Sequence, residues 1–554
     1  MNKVWSGKEV DNERIKKIIS EENLNIILAG LASNRFLDNY HNALNISYSN
    51  MHSPYELPDM DLAVDRILEA IDREEKVLVY GDYDADGITS TTILYTFLKD
   101  QGIDVSYYIP NRLEDGYGLN NEIIKNFKDL GYTLIITVDT GIVAIEEANY
   151  AKEIGMDLII TDHHEMQDII PDAIAVVDPK RIDSKYPFKD ICGAFVAYKL
   201  MEAVCIAIGM PDDYIHSFMP IAAIGTIADV MPLEDENRIL VSLGIANMKK
   251  CKNYGIKEMI GNDEITAEGL AFTVVPKLNA AGRLGSDLAA QLLTSDNEYD
   301  AKRLNLELEK LNEERKKLVV KQTNEIIRKI EEDKLEEMPI IIVAKEGLHE
   351  GIVGILAAKV AETYNKSAVV LTNSQEDTNM FKGSGRGKHI NMFEELSKFK
   401  HLYSKFGGHE KALGLSIEKE NLDKLVEEVK KLEIVAKKDD VVSYDMIMNM
   451  KNLSIPLVKT FDILEPFGKE NPKPTFLFKD VLVKKIYERE KVTSIMIVQD
   501  GITNFAITFD TNKLKENDIT EGDNTYIIAM VGINRYNGKE NLKIEIVDIQ
   551  KVDK

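Results

Sequence analysis

Four short blocks carry side chains able to gather divalent cations: Asp82-Tyr83-Asp84-Ala85-Asp86-Gly87, Val138-Asp139-Thr140-Gly141, Thr161-Asp162-His163-His164 and Gly225-Thr226-Ile227-Ala228-Asp229. The first three each follow an apolar run that reads as a buried strand. One aspartate at a strand end is ordinary. A triplet, a single aspartate and an Asp-His-His at strand ends of one sheet must converge if those strands are neighbours, and unpaired buried carboxylates are costly. Cations remove that cost. Oxygen ligands with one or two imidazoles suit Mn2+ or Mg2+ better than a structural zinc. Two ions roughly 3.5–4 Å apart can share one carboxylate, activate a water and neutralise a phosphate under in-line attack. The reaction class expected is metal-assisted phosphoester hydrolysis.

Rival motifs fail on spacing. Asp-x-Asp-x-Asp-Gly could open an EF-hand loop, but Ile93 stands where that loop needs its last glutamate, and a strand precedes it rather than a helix. His349-Glu350 begins like a zinc-protease motif, but Val353 stands where the second histidine belongs. Cys192, Cys205 and Cys251 lie far apart with no Cys-x-x-Cys pair, which argues against a disulfide framework or a thiolate zinc site and fits a reducing cytoplasm.

The elements that must position these blocks are legible as a rhythm. Val77–Tyr80, Val105–Pro110, Thr133–Val138 and Asp157–Thr161 read as strands, with helices over Ile88–Asp100, Asn120–Leu130 and Ala144–Ile154 between them. Such alternation predicts a parallel sheet covered on both faces, whose ligands collect at the carboxyl ends of the strands. Tyr299–Glu332 reads as one charged helix, roughly 50 Å long, with Leu304, Leu308, Leu311 and Leu318 on one face. A solvated surface helix and a rigid bridge both fit it. A second α/β unit starts at Pro339. Five short strands between Phe476 and Val547 predict a small barrel of the OB type. The expected division is a helical extension (1–74), a catalytic domain (75–295), a connecting helix (296–334), a substrate-binding domain (335–435), and a linker with the barrel (436–554).

The chain has 554 residues and a net charge of −25. That excess argues against broad non-specific nucleic-acid binding, but not against a local basic track. One candidate track is Lys382, Arg386, Lys388, His389, Lys398, Lys400, His401, Lys405 and Lys411, where a solvated face is the rival reading. Within it, Gly383-Ser384-Gly385-Arg386-Gly387 lets backbone amides approach an anion, and the guanidinium offers a fork. On the barrel, Tyr487 and Tyr536 with Lys479, Lys484, Lys485 and Arg489 suit stacking on unpaired bases, whereas Phe476 and Phe478 are expected in the core. No stretch is apolar enough to span a membrane, and Met1–Glu9 lacks a secretory apolar region, so a cytoplasmic protein is expected.

In combination the acidic blocks resemble the DHH phosphoesterase superfamily, named for the triplet Asp162-His163-His164. Further matching blocks are Arg112 with Gly116-Tyr117-Gly118, Cys192-Gly193-Ala194, Asn237-Arg238, and Pro276-Lys277-Leu278-Asn279 through Gly282-Arg283. The second α/β unit resembles the associated DHHA1 domain through Gly347-Leu348-His349-Glu350-Gly351, Gly383-Ser384-Gly385-Arg386 and Gly407-Gly408-His409. Glu465-Pro466-Phe467-Gly468 resembles the approach to an OB domain. The match runs from about Val77 to the C-terminus and points to the superfamily's single-stranded-DNA-specific exonucleases.

The resemblance implies an α/β protein with a parallel-sheet DHH domain, a DHHA1 domain and an OB-like barrel. It implies that Asp86, Asp139, His163 and Asp229 hold one Mn2+ or Mg2+ ion, and that Asp82, Asp84 and the bridging Asp139 hold a second. His164 is then placed beside the attacked phosphate, Asp162 orients the histidines, and Arg283 joins His164 and Asp139 as catalytic. Arg112, Tyr117, Asn279, Arg283, His349, Ser384, Arg386 and His409 are implied to contact DNA, with a pocket for the 5′ end. The implied reaction is 5′→3′ release of nucleotides from single strands in repair and recombination. The implied protein is a monomer, with a RecQ-type helicase and single-strand-binding protein as partners. Two rival functions are a phosphodiesterase of short oligoribonucleotides or cyclic dinucleotides, and a non-catalytic DNA-binding scaffold. Lys277, Leu348, Asp178 and Glu470 depart from the usual pattern of Arg, Trp, Asn and a Gly-rich turn. The first of these implies a lost bidentate phosphate contact.

Overall fold

The computed structural model describes residues 4–111, 118–261, 264–374, 377–434, 441–536 and 539–552. The chain forms two compact units. The larger comprises residues 52–231 and 244–438. Its first sheet has five parallel strands, β1 (Lys76–Tyr80), β2 (Asp104–Tyr108), β3 (Leu134–Val138), β4 (Asp157–Thr161) and β5 (Ala175–Val177), in the order β2-β1-β3-β4-β5. Every residue of β3 is buried, as expected for a central strand covered on both faces. Three helices matter for the site: α1 (Ala85–Asp100), α2 (Gly193–Ala207) and α3 (Met219–Ala228). The helix Met60–Asp72 is fixed beneath the sheet by Arg66, whose Nε donates to Asp157 Oδ2 and whose Nη2 donates to Glu75 Oε2, both at 2.7 Å.

The long helix α4 (Glu298–Glu332) packs on the catalytic sheet's helices with its first half and on the second sheet's helix with its second half. It is therefore a bridge between the two α/β domains. Leu304 and Leu308 are buried on it as expected, but Leu311 and Leu318 are only half-buried, and Asn305, Asn312 and Gln322 take interior positions. The DHHA1-like domain consists of β6 (Ile341–Ala344), α5 (Val353–Tyr364), β7 (Ala368–Asn373), β8 (Met380–Arg386), β9 (Tyr403–His409) and β10 (Ala412–Glu418), with sheet order β9-β10-β8-β7-β6. Only β6 and β7 run parallel; β7–β8, β8–β10 and β9–β10 are antiparallel.

The smaller unit joins residues 1–51, 232–243 and 439–554. Its barrel is built from β11 (Thr475–Glu488), β12 (Thr493–Gln499), β13 (Ile502–Thr508), β14 (Asn524–Tyr536) and β15 (Lys539–Lys551). Neighbouring pairs β11–β12, β12–β13, β13–β15, β15–β14 and β14–β11 close the ring. Phe476 and Phe478 are in its core, where Ile15, Ile18 and Leu28 of the N-terminal helices join them. The N-terminal strand Val4–Gly7 pairs in parallel with Val441–Tyr444, and Trp5 Nε1 donates to Asp548 Oδ2 at 2.7 Å. Arg35 Nη2 donates to Asp445 Oδ2 at 2.9 Å inside this unit.

Candidate metal centre and nucleic-acid interface

The register of the catalytic sheet brings three of the acidic blocks side by side. Tyr80 pairs with Thr137 and Val138 with Thr161, so β1, β3 and β4 end nearly flush. Asp82, Asp139 and the Asp162-His163-His164 triplet leave those ends together. Asp139 turns out of β3 at φ 60°, a left-handed conformation that aspartate tolerates better than most residues. Asp229 arrives separately, at the C-terminal end of α3.

Local hydrogen bonds fix each carboxylate. Asp84 caps α1, its Oδ1 accepting from the amides of Asp86 at 2.9 Å and Gly87 at 3.0 Å, which satisfies donors a helix start leaves open. The Ala85 amide donates to Asn279 Oδ1 at 3.1 Å, pinning the acidic turn. Asp86 accepts from Gly193 N at 2.7 Å and Ala194 N at 2.9 Å, one bond to each carboxylate oxygen. These amides open α2, so the positive end of a helix dipole faces the carboxylate, and each charged bond contributes on the order of 1.5–3 kcal/mol. Glycine is required at that junction: a Cβ on Gly193 would lie 2.6 Å from Asp139 Oδ1, and one on Gly225 would lie 2.7 Å from Asp86 Oδ1.

The cluster is close enough for cation sharing. His163 Nε2 lies 3.1 Å from Asp139 Oδ1, 3.7 Å from Asp86 Oδ2 and 3.8 Å from Asp229 Oδ2. Among the described residues, the ligand atoms of Asp82, Asp84 and Asp139 fall within 4.8 Å of one another, as do those of Asp86, His163 and Asp229, and those of Asp139, His163 and His164. Burial, then the Asp86, Asp84 and Asp82 charges, push Asp139 well above the usual carboxylate range. Burial and then Asp86 raise Asp84, and burial with Asp86 and Asp84 raises Asp229 to about 8. Burial lowers His163 to about 4, which keeps its imidazole neutral and able to ligate. Among the described residues, buried Asp139 Oδ1 and His163 Nδ1 find no hydrogen-bond partner. Crowded carboxylates with a neutral imidazole fit hard divalent ions such as Mn2+ or Mg2+, and two sets meeting at Asp139 and His163 fit a pair of them.

His164 stands apart, exposed at the rim of the cluster, with its Nδ1 2.7 Å from Asp162 Oδ1. Burial opposes its charge, but the Asp162 bond and charge outweigh that and raise it to about 9. Asp162 is itself held by amides: His163 N and His164 N donate to its Oδ1 and Ile142 N to its Oδ2. Asp162 thus holds the His164 ring in place.

The remaining sequence candidates are distributed over two places. Arg283 lies where the two α/β domains meet: its Nη1 donates to Gly351 O at 3.4 Å, and a Cβ on Gly351 would come within 1.9 Å of Arg283 O. His349 caps the turn before α5, its Nδ1 accepting from Gly351 N at 3.2 Å. Ser384 and Arg386 line a cavity of about 640 Å3 bounded by β8, β9 and β10, and Arg386 Nη1 donates to Ser384 Oγ at 2.8 Å. Lys382, Lys405, Gly407 and Gly408 line it too, while His409 is exposed at the end of β9. Arg112 and Tyr117 lie outside the described residues, as does the side chain of Tyr536. The ammonium of Lys277 is engaged by Glu309 of α4 at 2.8 Å, so this departure ties the bridge helix down. Glu470, standing in for a Gly-rich turn, adopts φ 60°. Leu348 is core. Asp178 is buried, and burial followed by the Asp162 charge raises it to about 8.

Sequence reasoning did not see what Asn279, Gly193 and Ala194 do. Their signal was present as small residues and an amide side chain within helices, but their partners lie in other elements.

Three family models match the chain: the DHH family N-terminal domain over residues 76–226, the DHHA1 domain over 337–433 and the RecJ OB domain over 444–548. A curated relative, the single-stranded-DNA-specific exonuclease RecJ of Bacillus subtilis, is 35% identical over 98% of this chain and 70% of its own. The chain belongs to the RecJ family. Solved RecJ structures agree with that placement. RecJ of Thermus thermophilus in complex with Mn2+ superimposes with a TM-score of 0.84 at 24% identity, over all of this chain and 80% of that one, and so shares the fold. A second RecJ structure, bound to manganese, is 31% identical and covers 68% of this chain and 94% of its own, with a TM-score of 0.59. The parallel-sheet domain, bridge helix, DHHA1 domain and five-stranded barrel are thus all features of a RecJ-type chain.

Proposed function

We propose that this chain is a metal-dependent exonuclease that hydrolyses single-stranded DNA from its 5′ end. The observation that carries the reading is the meeting of two ligand sets, Asp82/Asp84/Asp139 and Asp86/His163/Asp229, at the ends of adjacent strands. Asp86, Asp139, His163 and Asp229 would hold one ion, and Asp82, Asp84 and Asp139 the other. When bound, a pair of Mn2+ or Mg2+ ions supplies the Lewis acidity that readies water and offsets phosphate charge.

The chain's own residues do the rest. His164, charged and held by Asp162, donates to the non-bridging oxygen of the attacked phosphate, where negative charge grows. Arg283, and Ser384 with Arg386 in their cavity, bind the phosphates of the strand and its 5′ end. Arg112, Tyr117, Asn279, His349 and His409 are assigned to the same track. The barrel stacks on unpaired bases through exposed Tyr487 and Phe505, whose rings are 6.4 Å apart, with Lys485 5.3 Å over Tyr487. A barrel of this kind suits a long strand better than a dinucleotide. The work of such an enzyme lies in DNA repair and recombination in the cytoplasm, as a monomer supplied with single strands by a helicase of the RecQ type and by single-strand-binding protein. Among the described residues no helix is long and apolar enough to cross a membrane.

The test is digestion of 5′- and 3′-labelled single strands and duplex, with and without Mn2+. Mn2+-dependent release of the 5′ label from single strands is expected. Equal release from both ends, or a preference for two- to four-nucleotide RNA, would overturn the reading.

A further inference from the structure

Beside the acidic turn lies a cavity of about 390 Å3, within the size range of small-ligand sites. Tyr83, Tyr107, Tyr108, Asn111, Ser286 and Asp287 line it, and the apolar Ile109 and Pro110 extend its wall. Its chemistry is the opposite of the Ser384/Arg386 cavity, which gathers Lys382, Arg386 and Lys405. Among the described residues lining this one there is no cation, and Asp287 is the single acidic side chain. A phosphate finds no counter-charge there. Aromatic and apolar walls with a few polar groups at the edge suit a flat heteroaromatic ligand instead.

The fold sets this cavity against the metal cluster. Tyr83 stands between Asp82 and Asp84 in the acidic turn. Strand β2 pairs in parallel with β1 as far as Tyr108 and Tyr80, so its end opens beside that turn. The far wall follows from the helix Val275–Arg283. There Gly282 is pressed on the turn: a Cβ on it would lie 2.0 Å from Tyr83 O. Tyr107 is braced edge-on by Tyr95 at 5.1 Å, and Tyr108 by Phe127 at 5.9 Å. Exposed Asp287 accepts at Oδ2 from Gln291 Nε2 at 2.8 Å, and its other oxygen has no donor among the described residues.

We infer that this cavity seats the base of the strand's 5′-terminal nucleotide, its ring on the tyrosine-lined wall and an exocyclic amine donating to Asp287. The inference rests on the exonuclease reading above and deepens it. Arg283 decides which nucleotide is meant. Gly282 and Gly285 of the cavity flank it, and its carbonyl abuts Gly351 of the domain that carries the Ser384/Arg386 cavity. The nucleotide between a 5′ phosphate in that cavity and an attacked phosphate at the metal centre is the first one. Carboxylates accept from the N4 amine of cytosine, and the N6 amine of adenine offers the same donor. Thymine presents its O4 acceptor in that place, which a carboxylate repels.

The experiment is single-turnover cleavage, by the full-length protein in Mn2+, of 5′-phosphorylated single strands that differ only near the 5′ end. The first unit is deoxycytidine, thymidine or an abasic tetrahydrofuran; in a fourth strand the abasic unit is second. The parent is expected to cleave the strand with the abasic first unit about ten-fold more slowly than the base-bearing strands. It should cleave behind deoxycytidine about three-fold faster than behind thymidine, and the abasic unit in second place should leave the rate unchanged. Asp287→Ala should abolish the preference for deoxycytidine, and Tyr107→Leu should shrink the difference between base-bearing and abasic first units. A merely structural role for these residues would slow all four strands alike and keep both ratios, which overturns the seat. So does a parent indifferent to its first base, or a larger penalty from the second position. A parent that releases no nucleotide from any of the strands overturns the seat together with the exonuclease reading.

Discussion

His163 Nε2 stands 3.1 Å from Asp139 Oδ1, a contact between adjacent parallel strands that unites two otherwise separate ligand sets. Asp139 is buried and crowds Asp86, Asp84 and Asp82 at the same time, which pushes it well above the ordinary carboxylate range. A centre of this kind is destabilised without cations and completed by them.

Replacing Asp139 should therefore separate stability from activity. Asp139→Asn relieves like-charge crowding and is expected to raise the melting temperature of the metal-free protein by about 2 °C or more. Turnover of labelled single strands should fall by about three orders of magnitude or more. A variant that retains near-parental turnover would remove Asp139 from its bridging place.

The raised carboxylates also set a pH dependence for the metal-free protein. Asp229 has an unfolded value near 3.8 and a folded value of about 8, so the native state binds the extra proton. Stability contributed by protonated Asp229 is present below the unfolded value and lost as pH rises through about 8. Thermal melts in chelator should show the parent losing stability relative to Asp229→Asn between about pH 4 and pH 8. Parallel melting curves across that range would contradict it.

Arg386 makes a clear electrostatic prediction. Its guanidinium rests on Ser384 inside the cavity of β8, β9 and β10. Arg386→Ala should weaken single-strand binding and reduce the slope of log affinity against log salt by about 1. A parental slope would take Arg386 off the phosphate track.

The junction of the two α/β domains is predicted to be intolerant of bulk. Gly351 approaches Arg283 O so closely that an added Cβ would stand 1.9 Å away. Gly351→Ala must displace Arg283 or open the junction, at a cost of about 1–3 kcal/mol. Chemical denaturation measures that cost, and an enlarged KM for single strands should accompany it. Unchanged stability would mean that the junction gives way freely.

Much of this was legible along the chain, for a physical reason. Strand periodicity and turn chemistry are local, so the runs ending at Tyr80, Val138 and Thr161 marked three of the four ligand blocks, and five alternating segments marked the barrel. Partnerships across the fold were not legible. Nothing near Gly193 and Ala194 says that their amides serve Asp86, and nothing near Val4–Met51 says that it packs in the unit of the barrel. On α4, polar Asn305, Asn312 and Gln322 occupy buried positions that a hydrophobic pattern assigns to leucine. The terminal strand continues to Lys551, past the expected Val547, because β15 remains paired with β14 beyond the apolar run.

The barrel's outer surface yields the last prediction. Phe505 on β13 is 53% exposed, and Tyr487 on β11 is 37% exposed, with Lys485 over its ring. Neither ring belongs to the barrel's hydrophobic core, so removing one should leave the fold intact. A base stacked on such a ring contributes about 1–3 kcal/mol. Phe505→Ala is accordingly expected to weaken binding of long single strands by about ten-fold, at an unchanged melting temperature. Cleavage of di- and trinucleotides should proceed at the parental rate, because the ligand cluster belongs to the other unit. Equal losses on long and short strands would place Phe505 in a structural role, and no loss on either would remove this face of the barrel from the nucleic-acid interface.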